Sequence, residues 1–97
     1  MSVEERLAAL GLDLPPPNKF PNPNRTGCVQ AGTLLFVSGH PPAPNIGVPT
    51  TGKVPADVSE EDAYRVARAV ALNILSSIKQ QLGSLNKVKR VTKVLGM

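Results

Sequence analysis

The stretch Leu34-Leu35-Phe36-Val37-Ser38-Gly39-His40-Pro41 decides how this chain folds. Leu34 to Ser38 is a continuous apolar run, the pattern of a strand covered on both faces. Pro41, Pro42, Pro44 and Gly47 follow it as a loop. Upstream, Cys28-Val29-Gln30 reads as a short strand closed by Ala31-Gly32-Thr33. Downstream, a weaker strand is expected over 48–54, with Pro49 confining it to an edge. The strands on either side of the proline loop read as a hairpin with a wide connection.

Farther out lies the clearest element, a helix beginning at Ser59. Asp57 or Ser59 can cap it, and Glu60, Glu61 and Asp62 complement the positive end of its dipole. Ala63, Val66, Ala67, Val70, Ala71, Ile74, Leu75, Ile78 and Leu82 keep helical spacing throughout. Gly83 supplies the stop. At 1.5 Å per residue such a helix is ~35 Å long, enough to cross a sheet. Ala63, Ala67 and Ala71 would let it pack closely on strands. The segment 88–95 is rich in β-branched residues and reads as a further strand. Strand, strand, helix, strand is an α+β plan.

The N-terminal side is different in kind. Ser2-Val3-Glu4-Glu5 has the form of a capping box, with Ser2 accepting from the backbone and Glu5 reaching back. Val3, Leu7 and Leu10 then recur at helical spacing, and Gly11 ends a short helix. All ten prolines fall between Pro15 and Pro55. Pro15-Pro16-Pro17 favours extended polyproline geometry, and Lys19 to Thr26 is turn chemistry. This region reads as an arm lying across a surface. The expected organisation is one domain over 1–97, with helix and arm in 1–26 and sheet and long helix in 27–97.

Composition bounds the function. Ninety-seven residues fit one domain of modest core. With 41% apolar and 19% charged residues the composition is globular. No apolar run approaches the ~20 residues of a membrane span. Glu4 and Glu5 stand where a secretory signal would be basic, so a cytoplasmic protein is expected. One cysteine and one histidine exclude an internal disulfide and a histidine pair for metal. No metal or cofactor is expected. The net charge of +4 is uneven: Lys79, Lys87, Lys89, Arg90 and Lys93 all follow the last acid, Asp62. Such a tail can meet phosphate. Without interleaved aromatics it reads more simply as solvated edges, and nucleic acid is the less favoured partner.

The single residues that could carry chemistry are few. Gly47 to Val54 nearly spells a phosphate loop, but it lacks the final hydroxyl residue and the strand-loop-helix context. His40 could serve as a general base or carboxylate donor, against the plainer reading of a loop histidine bonded to backbone. Cys28 has no partner but His40 and reads as a small buried hydrophobe. Ser38 reads as a contact rather than a nucleophile. Tyr64 is assigned to packing or a subunit contact.

At Leu34 to Gly39 the chain resembles the YjgF/RidA family, also labelled endoribonuclease L-PSP. That family carries an apolar strand followed by Ser-Gly-Gln, where this chain has Ser38-Gly39-His40-Pro41. Gly32, Gly52-Lys53-Val54, Asp57-Val58-Ser59, Asn73 and Val88-Lys89-Arg90-Val91 add to the resemblance, and the opening is similar to a longer subgroup with an N-terminal helix. The resemblance implies a chorismate-mutase-like fold, a mixed sheet covered by a long helix, assembled as a homotrimer with clefts between subunits. It further implies hydrolysis of enamines and imines to ketoacids and ammonia, with a small carboxylate-bearing ligand. The substrate-binding residues it implies are Ser38 and Gly39, with His40 in place of glutamine and Arg25 near the position of a cleft tyrosine. The arginine and glutamate that the family uses for catalysis have no counterpart here, so no catalytic residue is assigned. The chain is therefore expected to be the N-terminal portion of such a domain. A non-catalytic ligand-binding trimer, an RNA-binding or RNA-cleaving protein, and an inactive fragment stay open beside the hydrolase.

Overall fold

The computed structural model describes residues 2–97. Its elements are α1 (Val3–Ala9), β1 (Cys28–Ala31), β2 (Leu34–Val37), α2 (Glu60–Leu82) and a 3₁₀ turn at Leu85–Lys87. This is a small α+β protein with a two-stranded antiparallel sheet and one long helix.

α1 forms where its caps are. The Ser2 hydroxyl accepts from the Glu5 N–H at 3.0 Å. In the first turn Glu4, rather than Glu5, makes a long-range contact, reaching Leu85. At the other end Leu12 N–H donates to Leu7 O at 2.9 Å and Gly11 N–H to Ala8 O at 3.0 Å. That is a Schellman closure, and Gly11 at φ +71° provides the left-handed turn it needs. α1 docks on the 3₁₀ turn, where Val3 N–H donates to Asn86 Oδ1 at 2.8 Å.

β1 and β2 pair with Cys28 opposite Val37 and Ala31 opposite Leu34. Gly32 and Thr33 make the tight turn between them, with Gly32 at φ +61° in the first position as a II′ turn requires. The hairpin thus lies upstream of the proline loop. The wide hairpin expected across that loop is not formed: residues 48–54 run as bends and turns. Pro49 and Pro55 carry no N–H to give to a ladder, and Gly47 and Gly52 sit at φ +84° and +127°, away from extended geometry.

α2 has the expected ends. Ser59 Oγ accepts from Asp62 N–H at 3.1 Å, and Gly83 stops the helix in the left-handed region at φ +84°. The seated face differs from the expected one. Ala67 and Ala71 are exposed, while Asn73, Ser76 and Ser77 are buried. Hydrogen bonds to the arm and the proline loop, rather than close alanine packing on strands, turn the helix to this face.

The apolar core is small: Cys28, Val58 and Leu85. β2 is covered on one face, not two. Val29 and Phe36 stand opposite each other on the outer face, 54% and 60% exposed. Residues 88–97 take no regular structure and carry exposed Val91, Val94 and Leu95. The expected strand over 88–95 is absent: β-branched residues give a willingness to pair, but this segment pairs with neither outer edge of the two-stranded sheet. The accessible surface of 7563 Å² exceeds the roughly 5,300 Å² expected of a folded monomer of this mass. No helix among the described residues is long and apolar enough to cross a membrane.

Candidate functional site

The end of β2, the arm and the middle of α2 meet at one place. Ser38 continues the ladder past Val37, donating its N–H to Gly27 O at 3.0 Å and its hydroxyl to Thr26 O at 2.6 Å. These bonds hold the strand end beside the arm just where the arm turns into β1. Arg25 then reaches across, and its Nη2 donates to Gly39 O at 3.3 Å. The guanidinium lies 4.8 Å over the centroid of Phe20, a cation–π contact that fixes its plane. Phe20 in turn meets His40 edge-on, with ring centroids 5.5 Å apart. The structure therefore brings Arg25, Ser38, Gly39 and His40 together.

His40 is held at both nitrogens. Nδ1 lies 2.7 Å from Ser38 O and Nε2 lies 2.8 Å from Ser77 Oγ. A carbonyl only accepts, so Nδ1 carries the proton. In the neutral ring Nε2 then accepts from the Ser77 hydroxyl. The imidazole fastens the strand-end loop to α2 and has no free nitrogen for a ligand. This is the plainer of the two readings its sequence position allowed.

α2 supplies the floor. Ser77 is 4% exposed, and its carbonyl accepts from the Cys28 thiol at 3.5 Å. Burial pushes that thiol up, away from the reactive thiolate. One turn earlier, Asn73 Nδ2 donates to Pro41 O at 2.9 Å and to Asn18 Oδ1 at 3.3 Å. Ser76 Oγ donates to Pro15 O at 2.6 Å, so the polyproline start of the arm is tied down as well.

Arg25 is exposed and makes no ion pair among the described residues. The ion pair found there joins Arg65 and Asp62 at 3.6 Å. Lys87, Lys89, Arg90 and Lys93 are likewise exposed and without acidic partners. Tyr64 is 66% exposed, with Arg68 5.3 Å over its ring.

Three residues of the cluster do not read as site residues in the sequence: Phe20, Ser77 and Asn73, the last noticed there only within the family resemblance. Each joins segments far apart in the chain. A signal was present for two of them, because Asn73, Ser76 and Ser77 interrupt an otherwise apolar helix with hydrogen-bonding groups. Polar groups that end up buried need partners.

No protein-family model matches the chain, and no solved structure matches it. Among curated proteins it is similar to Protein TCP17 of Trypanosoma cruzi, with 36% identity over 92 residues. Those residues are 95% of this chain and 57% of that protein, so the chain spans little more than half the length of its relative. These findings overturn the resemblance to the YjgF/RidA family. The features that carried it are one to six residues long, and two of them fall on 48–54 and 88–95, where no strand forms.

Proposed function

We propose that the chain binds a small carboxylate-bearing ligand at Arg25, against the strand end Ser38-Gly39. The observation that carries this reading is an exposed guanidinium with a fixed plane and no acidic partner. Its bond to Gly39 O engages one of five N–H donors. The remaining donors suit a carboxylate in the two-point geometry that arginine favours. The N–H of Gly39 has no partner among the described residues and adds a neutral donor nearby. His40 and Phe20 form the wall of the site.

The reaction we propose for such a ligand is hydrolysis of an enamine or imine. Water adds to the C=N carbon, the nitrogen takes up a proton, and the carbinolamine collapses to a ketone and ammonia. Arg25 would hold the ligand by its carboxylate while water adds. His40, with both nitrogens engaged, orients the wall and is not the base.

The same reading extends the hairpin and α2 into a chorismate-mutase-like mixed sheet assembled as a homotrimer. The excess of accessible surface, about 2,200 Å² over the monomer expectation, is of the size stable interfaces bury. The uncovered outer face of β1 and β2 supports it.

The experiment is a titration with pyruvate followed by NMR, with ammonia release from 2-iminopropanoate measured beside it. Saturable pyruvate binding that Arg25→Ala abolishes, with the fold retained, supports the site. Equal binding by wild type and variant removes it. Binding without ammonia release leaves a ligand-binding protein and removes the hydrolase.

A second reading, RNA contact through Lys87, Lys89, Arg90 and Lys93, is favoured by the exposure of these four cations without partners. Its signature is an RNA affinity that falls steeply with salt, by a slope near 0.7 per phosphate neutralised on a single strand. An affinity indifferent to salt removes it.

A further inference from the structure

The candidate site is built from two strips of chain that do not belong to one element. The arm contributes Phe20 and Arg25; the strand-end loop contributes Gly39 and His40. We infer that Asn73 is the positioning residue that sets these strips against each other, and so fixes where the Arg25 guanidinium sits. The inference rests on the proposed carboxylate site for its functional meaning, but its geometry stands without it.

Asn73 is 1% exposed, at the centre of the seated face of α2. Its one amide nitrogen carries two hydrogens, and both are used. One goes to Pro41 O at 2.9 Å, next in sequence to His40. The other goes to Asn18 Oδ1 at 3.3 Å, two residues before Phe20. The bond to a carbonyl settles which end of the amide is nitrogen, because an oxygen there would face another acceptor. A single NH₂ group therefore ties the arm and the strand-end loop to the same point of α2.

Other anchors hold the arm on either side of Asn18. Ser76 fixes it at Pro15, ten positions before Arg25. Between Asn18 and the start of β1, the contacts of the arm with the rest of the molecule run through Phe20, Arg25, Thr26 and Gly27. Removing the Asn18 anchor would free the Phe20 ring from its place beside His40, and Arg25 would lose the surface that fixes its plane. Stability would then fall little while the site loosens. Such a separation distinguishes a positioning residue from an ordinary buried amide.

The test uses the whole chain and two readouts. The first is the Arg25 Nε–Hε signal, displaced by the Phe20 ring current and identified by its loss in Arg25→Lys. The second is pyruvate affinity by NMR titration. Asn18→Ala should move the Arg25 signal to the position of a free arginine and weaken pyruvate binding about fivefold, the scale of one neutral hydrogen bond. Asn18→Asp keeps an acceptor for Asn73 and should hold both readouts near wild type. Asn73→Ala should act as Asn18→Ala does, with a lower melting temperature besides. An Arg25 signal unmoved in Asn18→Ala overturns the inference, whatever happens to melting. Should wild type fail to bind pyruvate, the carboxylate reading falls, and the Arg25 signal alone still decides the role of Asn73.

Discussion

Gly27 lies against Ser77 with no room between them: a methyl group on Gly27 would stand 3.0 Å from the Ser77 Cβ and 3.1 Å from its Oγ. The contact seats the strand pair on α2, because Gly27 also gives its carbonyl to Ser38 and Ser77 holds His40. Gly27 is not in the left-handed region, so its need to be glycine is steric and not conformational. Gly27→Ala should cost about 1–3 kcal/mol, as overpacking in a seated contact does. For a domain of this size that lowers the melting temperature by about 4–8 °C per kcal/mol. A melt indistinguishable from wild type would mean that strand and helix are not in contact here.

The proton on His40 is a second consequence of this geometry. Ser38 O accepts and cannot donate, so the neutral ring should carry its hydrogen on Nδ1. Nitrogen chemical shifts of the imidazole report the tautomer directly. Ser77→Ala should keep the Nδ1–H form but lower stability by about 1–3 kcal/mol, since Nε2 is left in a partly buried position without its donor. A proton found on Nε2 in wild type would contradict the arrangement.

These two contacts also mark the limit of what the sequence reveals. α2 was legible because its signals are local: Ser59 and three acids at one end, Gly83 at the other, and apolar spacing between. The close of β1 at Ala31-Gly32-Thr33 was legible for the same reason, but its pairing with β2 was not, the hairpin being expected across the proline loop. The strands expected over 48–54 and 88–95 were not decidable locally, because β-branched residues declare a willingness to pair and not the presence of a partner. Arg25, Ser38, Gly39 and His40 drew notice as residue types, and the structure places them side by side. Their supports, Phe20, Asn73 and Ser77, depend on contacts across tens of residues that no periodicity encodes.

The outer face of the hairpin gives a prediction about assembly. Val29 and Phe36 face each other across the strands and are open to solvent in a single chain. If three copies cover this face, Phe36→Lys should leave the helix content unchanged and reduce the mass seen by light scattering to that of one chain. An assembly of unchanged mass would place the interface elsewhere; a single-chain mass for wild type would remove the homotrimer.

The last prediction concerns the clasp between the two ends of the chain. Glu4 Oε1 accepts from the Leu85 N–H at 2.9 Å and from the Ser84 hydroxyl at 3.3 Å, while Oε2 is shielded and without a partner among the described residues. The Leu85 N–H is the main cause that lowers the carboxyl below its ordinary value of 4.5, followed by the backbone N–H of Glu4 itself. A group held below its unfolded value binds fewer protons when folded, so stability rises with pH across the interval between the two values. The contribution is present in full above 4.5 and is lost as the pH falls through the lower folded value. Denaturant midpoints measured at pH values from neutrality downward should therefore drop more steeply for wild type than for Glu4→Gln. The two curves should lie apart at neutral pH and draw together in acid, where the wild-type carboxyl is also protonated. Curves that stay parallel throughout would mean that α1 is not fastened to the 3₁₀ turn by this carboxylate.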